Sequence, residues 1–443
     1  MTASPTTTGG RVRRAVGRLL GTDRRHGRRF VVRRMARTQL RRRAARGPGP
    51  APVTLVDTDT LDPARVSVRV VHPAERFVLA APPDLDPWLV DAPGWHTEHE
   101  VPALVVAELR DGWVFGSDGH VGPDPHTVCR DLDRGISLAP TGVARAVAEA
   151  RARGVEDLPG TTVHGLVLRG DNYFHWMAQG LPRLAMVLGA TDPAAIDRVL
   201  VPAGPGFVAE TLERIGAPAD KVVAVGADAP AFRAERLIAG SMPWSWNPTP
   251  GWAIATVREA FAPERAAAGT GDRLHLTRLG AGRGRRTIVN EDAVAAMLTG
   301  LGFRTVATEG LTVAEQARLF AGAEVVVALH GAGLANLMFC RPGAHAVELL
   351  PANAAVSTYH LLARQAGLHH HPVVGVEARP PRRWRTYFTD AHTVVDVEAL
   401  RRLVTCLPTN PPRRLPATAP GRLQTPAPRA PPCDCPRPPL DRG

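Results

Sequence analysis

The sequence is poor in lysine, cysteine and long apolar segments, and each shortage removes a class of protein. Lys221 is the only lysine, so a phosphate-binding P-loop, which needs a Gly-Lys pair, is excluded. The five cysteines in 443 residues are too few for a disulfide framework, and Cys433-Asp434-Cys435 lacks the second pair of a zinc site. No stretch has the ~18 apolar residues of a transmembrane helix, and no signal-peptide core follows the first residue. We therefore expect a reduced, cytoplasmic compartment.

The net charge of +12 is concentrated at the start of the chain. Residues 1–50 contain 15 arginines and one acid, whereas the rest carries 39 basic and 41 acidic residues, so we expect no specific nucleic-acid partner. In this arm, apolar residues recur on one helical face between the arginines: Val12, Val16, Leu19 and Leu20. The pattern favours either a basic amphipathic helix at the anionic inner face of a membrane or a solvated, disordered arm.

Turn residues and hydrophobic periodicity divide the remaining chain. Short strands predominate up to about residue 138, and Asp111-Gly112 predicts a two-residue turn in a hairpin over Ala107–Phe115. Strands and helices alternate after residue 160, which predicts a parallel sheet in each half of the chain. The predicted parts are a basic tail (1–50), a β-rich segment with a first lobe (51–250), a second lobe (251–407) and a disordered Pro-rich tail (408–443).

The second lobe contains the clearest local patterns. Asn290 is expected to cap a helix that begins at Glu291, and Thr312 with Glu315 predicts a capping box. Glu324–Leu329 is a short β-branched run, typical of a strand buried on both faces of a parallel sheet.

The loop after this strand is glycine-rich. It contains His330, Gly331 and Gly333 before a short helix, and such junctions favour anionic ligands because free N–H groups and the helix dipole face outward. Asn336 stands where a dinucleotide fingerprint needs its third glycine, so NAD is excluded. A phosphate-bearing ligand is the functional interpretation, and close strand-to-helix packing is the alternative.

Two further stretches carry candidate chemistry. The loop from Arg278 to Thr287 places arginines, above all Arg278 and Arg286, at a strand's carboxyl end, where they could bind a diphosphate without metal; a solvated loop is the alternative. In the first lobe, Asn172 and His175 share a helical face. His175 could remove a proton from a hydroxyl, although a histidine beside a tryptophan is often only structural.

Three Asp-x-Asp triplets could in principle hold a metal on a sugar diphosphate. They lie at Asp57/Asp59, Asp84/Asp86 and Asp131/Asp133. Because they occupy turn-like, proline-flanked segments outside any β-α-β unit, we interpret them as loop residues and expect no metal.

Together, three motifs resemble glycosyltransferase family 61, which includes plant xylan-decorating transferases, eukaryotic protein O-GlcNAc transferases and many bacterial relatives. The likeness covers roughly residues 105–380, and we expect a bacterial member. The motifs are Asn172–Trp176 with Leu181–Leu184, Thr277-Arg278 with Arg285–Glu291, and His330–Asn336 with Pro342-Gly343 and Val347–Leu349.

This resemblance implies an α/β fold of the GT-B type, with two Rossmann-like lobes facing a cleft. It also implies an inverting transfer of sugar from a nucleotide-sugar donor to a glycan or other hydroxyl acceptor, without metal or other cofactor. The residues it carries over are Arg278 and Arg286 for the donor phosphates, His330, Gly331 and Gly333 for the diphosphate loop, Asn336 and Glu348 for donor-side or bracing positions, and Arg169, Asn172 and His175 for the first-lobe wall.

The chain departs from the family at one position. Members commonly have an acid four residues after the motif histidine, and here that position is Gln179. Glutamine cannot act as a base, so if the family's acid is catalytic this chain must use another group, and His175 and Asp171 are the local candidates. The alternative is a catalytically weak relative that binds a nucleotide sugar or glycan.

Overall fold

A mixed sheet and a parallel sheet organise the computed structural model, which describes residues 51–79, 95, 98–133, 140–242, 249–269, 271–278, 286–351, 356–377 and 392–408. The predictions for the arm at 1–50, for Asp84/Asp86, for the middle of the arginine loop and for the tail after residue 408 lie outside this part of the chain.

The strands are β1 (Thr54–Val56), β2 (Val66–His72), β3 (Glu75–Val78), β4 (Glu98–Val101), β5 (Leu104–Phe115), β6 (His120–Gly122), β7 (Thr127–Cys129), β8 (Val155–His164), β9 (Arg198–Pro202), β10 (Val222–Val225), β11 (Ala231–Gly240), β12 (Asp272–Leu276), β13 (Arg304–Val306), β14 (Ala323–Leu329), β15 (His345–Leu350), β16 (His369–Val374), β17 (Val376–Glu377) and β18 (Thr393–Val394).

The helices are α1 (Pro140–Ala152), α2 (Tyr173–His175), α3 (Leu181–Gly189), α4 (Gly206–Arg214), α5 (Gly251–Ala260), α6 (Ala262–Ala266), α7 (Glu291–Gly300), α8 (Val313–Ala321), α9 (Thr358–Gln365) and α10 (Val397–Cys406). A π-helical turn, Trp176–Gly180, joins α2 to α3, and 3-10 turns cover Thr58–Thr60, Pro193–Ala195, Ala219–Lys221 and Ala332–Phe339. None of the described helices is both long and apolar enough to span a bilayer.

The first sheet has the order β10-β9-β8-β11-β5-β2, with β6 beside β5. Strands β10, β9, β8 and β11 run parallel, whereas β5 is antiparallel to both β11 and β2. The α/β class is therefore confirmed, but the β-rich segment is part of this sheet and makes it mixed.

The predicted hairpin at Asp111-Gly112 is wrong. Both residues lie inside β5, which pairs with β11 from Phe115↔Ala231 to Val106↔Gly240. Asp111 has φ 52°, and a Cβ on Gly112 would lie 2.7 Å from Leu237 Cβ. The turn-forming dipeptide is thus held inside a long strand that lies close to its neighbour, because pairing along β11 outweighs the local turn preference.

The second sheet is parallel and has the order β13-β12-β14-β15-β16. The predicted buried strand, β14, lies at its centre, so the glycine-rich loop leaves the middle of the carboxyl edge. The capping box of Thr312 and Glu315 on α8 is confirmed. Asn290 does precede α7, but the capping role assigned to its side chain is wrong: its amide bonds the backbone of Val395 instead.

One apolar core continues from the first sheet to the second. It includes Val163 and Val199 on the first sheet, Leu184 on α3, and Val326 and Ala346 on the second sheet. The helical segment that begins at α2 is therefore packed between the two sheets.

A buried guanidinium fixes α3 to the first sheet. Arg183 is 2% exposed and donates to the carbonyl oxygens of Gly240 (2.7 Å), Leu166 (2.9 Å) and Leu132 (2.8 Å). Burial lowers the pKa of Arg183 to about 10, which still leaves it charged at neutral pH. Its donors satisfy carbonyls that water cannot reach.

Replacing Arg183 by methionine should lower the free energy of unfolding by at least ~3 kcal/mol, because three buried carbonyls lose their donors at about 1–3 kcal/mol each. Urea denaturation followed by tryptophan fluorescence measures the change. Arg145→Ala is the control: it removes an exposed pair with Glu149 and should leave the midpoint unchanged. An unaltered midpoint for Arg183→Met would contradict the role given to this residue.

Candidate active site

A cavity of about 620 Å³ lies beside the carboxyl ends of β12 and β14. From the second sheet it is lined by Arg278, Gly331 and Gly333, and from the helices after the first sheet by Tyr173 and Phe207. Its volume falls in the range of ~300–1,000 Å³ usual for small-ligand sites. The structure therefore places predicted phosphate-binding residues on the wall of a ligand-sized space.

Arg278 lies directly against the glycine-rich loop. Its Nη1 donates to the His330 carbonyl at 3.3 Å, and a Cβ on Gly331 would be 2.6 Å from that Nη1. Gly331 is extended (φ 174°), so glycine is needed here for this close approach and not for backbone conformation.

Glu291 holds the start of the arginine loop. This buried carboxylate accepts from Thr277 Oγ1 at 2.5 Å and from the Arg278 backbone N–H at 3.3 Å. It stands in the first turn of α7, where a negative charge is favourable. The motifs contain Glu291 only as the last residue of one of them, although an acid at a helix start next to a strand end is a signal of this role.

Arg286 completes a positively charged group around His330. Burial lowers the pKa of Arg286 to about 10, and the neighbouring charge of Arg278 acts in the same direction, so Arg286 remains charged at neutral pH. Together they also help to lower the pKa of His330. An anion bound beside two guanidinium groups offsets the repulsion between them. Charged groups whose pKa values are shifted by like charges are more frequent at functional sites than elsewhere.

Glu348 lies beneath the loop and bridges two histidines. Its Oε1 is 2.5 Å from His330 Nδ1, and its Oε2 is 2.8 Å from His370 Nε2. Burial lowers the pKa of His330, while Glu348 opposes that shift. Glu348 is therefore placed to brace His330 from behind.

In the segment that follows β8, Asn172 begins the helix that carries His175. Its side chain accepts from the backbone N–H groups of Phe174 (3.0 Å) and His175 (3.4 Å). The π-helical turn follows at once, and such turns are frequent at functional sites. Asn172 therefore acts as an N-cap.

His175 contacts Gln179 through a defined nitrogen. Its Nδ1 lies 2.9 Å from Gln179 Oε1, and since a carbonyl oxygen can only accept, Nδ1 carries the proton and Nε2 keeps its lone pair. Burial lowers the pKa of His175, opposed by the Gln179 bond, while Arg169 lowers and Asp171 raises it. Gln179 is thus a group that fixes the tautomer of a potential base.

A hydrogen-bond chain connects the two halves of the site. Tyr173 Oη donates to Asn336 Oδ1 at 2.7 Å, and Asn336 Nδ2 donates to Gln316 Oε1 at 2.6 Å. The ring of Tyr359 lies 5.4 Å from Phe174 and 5.0 Å from His330, centroid to centroid. Asn336 is fully buried and braces this junction from the inside.

The other predicted residues lie further out. Arg169, with φ 58°, and Asp171 are exposed in the loop after β8. Within the described ranges no hydrogen bond joins them to Arg278 or His330. Asp131 accepts from Thr58 N, and Asp57 accepts from Arg130 Nε, so the segments of these two triplets bond to each other. No three acidic, histidine or cysteine side chains among the described residues are arranged for a metal.

Two residues near the cavity were missed from the sequence. Tyr359 on α9 contacts both halves of the site, and Glu210 on α4 accepts from the N–H groups of Val313 (2.8 Å) and Ala314 (2.9 Å) at the start of α8. Neither belongs to a motif, and only long-range packing brings them here.

Comparison with known proteins gives the class of one segment of the chain. A segment of 69 residues is 44% identical to the beta-1,2-xylosyltransferase XAX1 of rice, Oryza sativa subsp. japonica, and covers 15% of this chain and 12% of that protein. Residues 173–347 match the family model described as Glycosyltransferase 61. The matched region, which holds Tyr173, the arginine pair and the glycine-rich loop, is that of a glycosyltransferase. Residues 173–347 are therefore a glycosyltransferase 61 domain, which confirms the resemblance in the motifs.

Gly331→Ala should weaken binding of a nucleoside diphosphate about 10- to 100-fold, because a methyl group displaces the Arg278 guanidinium and a charge-assisted bond contributes about 1.5–3 kcal/mol. Isothermal titration calorimetry measures the affinity. Gly300→Ala is the matched control, since a Cβ there meets nothing within 4 Å. Equal affinity for both variants would separate Arg278 from the ligand.

Gln179→Glu should move the acidic limb of the kcat/KM profile to higher pH. A carboxylate at this position raises the pKa of His175, so the unprotonated base is populated only at higher pH. In the wild type the limb should lie below pH 6.5, because burial lowers the pKa of His175 from its ordinary value of 6.5. Gln179→Met, which removes the acceptor without adding charge, is the companion variant, and a limb that stays in place in Gln179→Glu would exclude His175 as the base.

Proposed function

We propose that this protein is an inverting, metal-independent glycosyltransferase that moves a sugar from a nucleotide-sugar donor to an acceptor hydroxyl in polysaccharide or glycoconjugate synthesis. The observation that carries the proposal is the convergence of Arg278 and the Gly331–Gly333 loop on the cavity wall, with the charge of Arg286 acting on both Arg278 and His330. Two guanidinium groups and a helix start offer several donors to a diphosphate. The family supports glycosyl transfer as the reaction class.

In the proposed reaction, the acceptor oxygen attacks the anomeric carbon from the face opposite the leaving group. The new C–O bond forms as the bond to the diphosphate oxygen breaks, and its electron pair leaves with the nucleoside diphosphate. The acceptor proton passes to Nε2 of His175. Arg278 and Arg286 stabilise the charge that develops on the diphosphate, which is usually the largest electrostatic contribution.

The wider setting of the reaction follows the expected architecture. We place the donor mainly against the second lobe, residues 251–407, and the acceptor against the first, residues 51–250, in a GT-B arrangement. The site of action would be the cytoplasm, with the basic arm resting on the anionic inner face of a membrane.

A second candidate is a catalytically weak member that binds a nucleotide sugar or glycan. Gln179 favours it, because the amide supports the tautomer of His175 but adds no charge to stabilise an imidazolium. Tight donor binding in calorimetry with no turnover on any acceptor would favour this candidate.

A donor panel tests the proposal directly. UDP-xylose, UDP-glucose, UDP-N-acetylglucosamine and GDP-mannose are assayed for transfer and hydrolysis in excess EDTA, and we expect at least one to react at the rate seen without chelator. Arg278→Ala should weaken donor binding about 10- to 100-fold, whereas Arg233→Ala, which removes an exposed pair with Asp157, should not. Loss of activity in EDTA would contradict metal independence, and equal affinity in wild type and Arg278→Ala would remove that arginine from the site.

A further inference from the structure

Three side chains form a buried hydrogen-bonded chain behind the glycine-rich loop. Glu348 and His370 are 1% and 0% exposed, and His330 is 10% exposed. Each carboxylate oxygen of Glu348 faces one imidazole nitrogen, at 2.5 Å and 2.8 Å. A carboxylate that accepts at both oxygens fixes the tautomers of both rings, so His330 carries its proton on Nδ1 and His370 carries its proton on Nε2.

The outer nitrogen of His330 is therefore the one that can change its protonation. Within the described part of the chain, no hydrogen bond occupies His330 Nε2, and this atom is not among the buried polar atoms without a partner. It thus remains accessible at the edge of the site. The other nitrogen of His370, Nδ1, is buried and has no hydrogen-bond partner among the described residues. Among these residues, the His370 ring therefore makes its side-chain hydrogen bond through Nε2, to Glu348.

The surroundings keep free His330 neutral at neutral pH. Burial lowers its pKa, and the charges of Arg286 and Arg278 act in the same direction, against the effect of Glu348. Besides these groups, the uncharged ring of Tyr359 on α9 lies 5.0 Å away.

Behind Glu348, on β16, burial and the charge of Arg364 lower the pKa of His370 to about 3. The ring of His360 on α9 packs edge-on against it at 5.2 Å. His370 therefore stays neutral and continues to donate to Glu348.

We propose that His330 takes up a proton at Nε2 when the donor diphosphate binds, with Glu348 as the counter-charge and His370 as the positioning residue that holds Glu348. The inference rests on the proposed diphosphate site. A bound diphosphate offsets the charges of Arg278 and Arg286, which removes the repulsion that keeps His330 neutral. The imidazolium then donates its new Nε2–H to a phosphate oxygen in a charge-assisted bond.

Proton uptake gives donor affinity a definite dependence on pH. Below the pKa of free His330 the proton is already present, and the affinity should be independent of pH. Above that pKa, and up to its raised value in the complex, binding takes up about one proton and the affinity should fall about tenfold per pH unit.

Calorimetry in buffers with different ionisation enthalpies counts the protons. The first probe is UDP-xylose, whose diphosphate does not titrate near neutral pH. The second is inorganic pyrophosphate, which presents the diphosphate without base or sugar. Because pyrophosphate itself titrates, its proton uptake is compared between variants. For wild type we expect uptake approaching one proton at the pH where the affinity falls most steeply. Glu348→Gln should abolish it, because the imidazolium loses its counter-charge.

Variants of His370, at the inner end of the hydrogen-bonded chain, distinguish a positioning role from packing alone. His370→Phe removes the donor and should reduce the uptake, since Glu348 can then hold the proton itself, whereas His370→Gln keeps an N–H donor and should restore it. His345→Gln, at the opposite end of β15, is the matched control and should behave as wild type. A merely structural role for His370 would weaken binding without changing the number of protons taken up.

The possible failures are distinguishable. Binding of either probe without proton uptake in wild type overturns the role of His330 and leaves the proposed function standing. Uptake that persists in Glu348→Gln overturns the counter-charge. No binding of either probe removes the diphosphate site, and with it both the proposed function and this inference.

Discussion

The buried chain from Tyr173 through Asn336 to Gln316 is the constraint on which the site depends. It crosses the seam between the helix that follows the first sheet and the loop that follows β14. Because Asn336 is fully buried, breaking either bond would leave a polar group without water or partner, at a cost of about 1–3 kcal/mol. The seam therefore holds His175 and His330 in a fixed relation although they come from opposite halves of the chain.

The two histidines have the same local arrangement and different electrostatics. Each uses Nδ1 for a buried acceptor and presents Nε2 outward. Behind His175 the acceptor is the neutral amide of Gln179, and behind His330 it is Glu348. An amide selects a tautomer, whereas a carboxylate also stabilises the protonated ring, and this difference underlies the separate roles proposed above for the two residues.

Local patterns in the sequence predicted those parts of the fold that a few neighbouring residues determine. The capping box of Thr312 and Glu315 and the buried strand β14 are examples, since each is decided by residues within one or two turns or by a run of valines. The glycine-rich loop was placed correctly for the same reason: a strand end, two glycines and a helix start are adjacent in sequence.

Features decided by distant partners could not be predicted in the same way. Asp111-Gly112 has the composition of a turn, but β11 pairs along the whole of β5 and keeps both residues in the strand. Asn290 has the identity of a helix cap, yet its amide bonds Val395, 105 residues away. His370 pairs with Glu348 only because β16 lies beside β15. In the site itself, the motifs identified the cations, and the tertiary structure identified the acceptors that orient them.

The carboxylate of Glu210 on α4, which bonds the start of α8, makes the distribution of charge around the cavity uneven. It neutralises the positive end of that helix with a charge from α4, and Glu309 adds a second acid to the lining. The positive potential inside the cavity is consequently concentrated at Arg278 and the glycine-rich loop. For the proposed diphosphate ligand, this separation of charge along the cavity wall would favour one orientation by long-range electrostatics before any hydrogen bond forms.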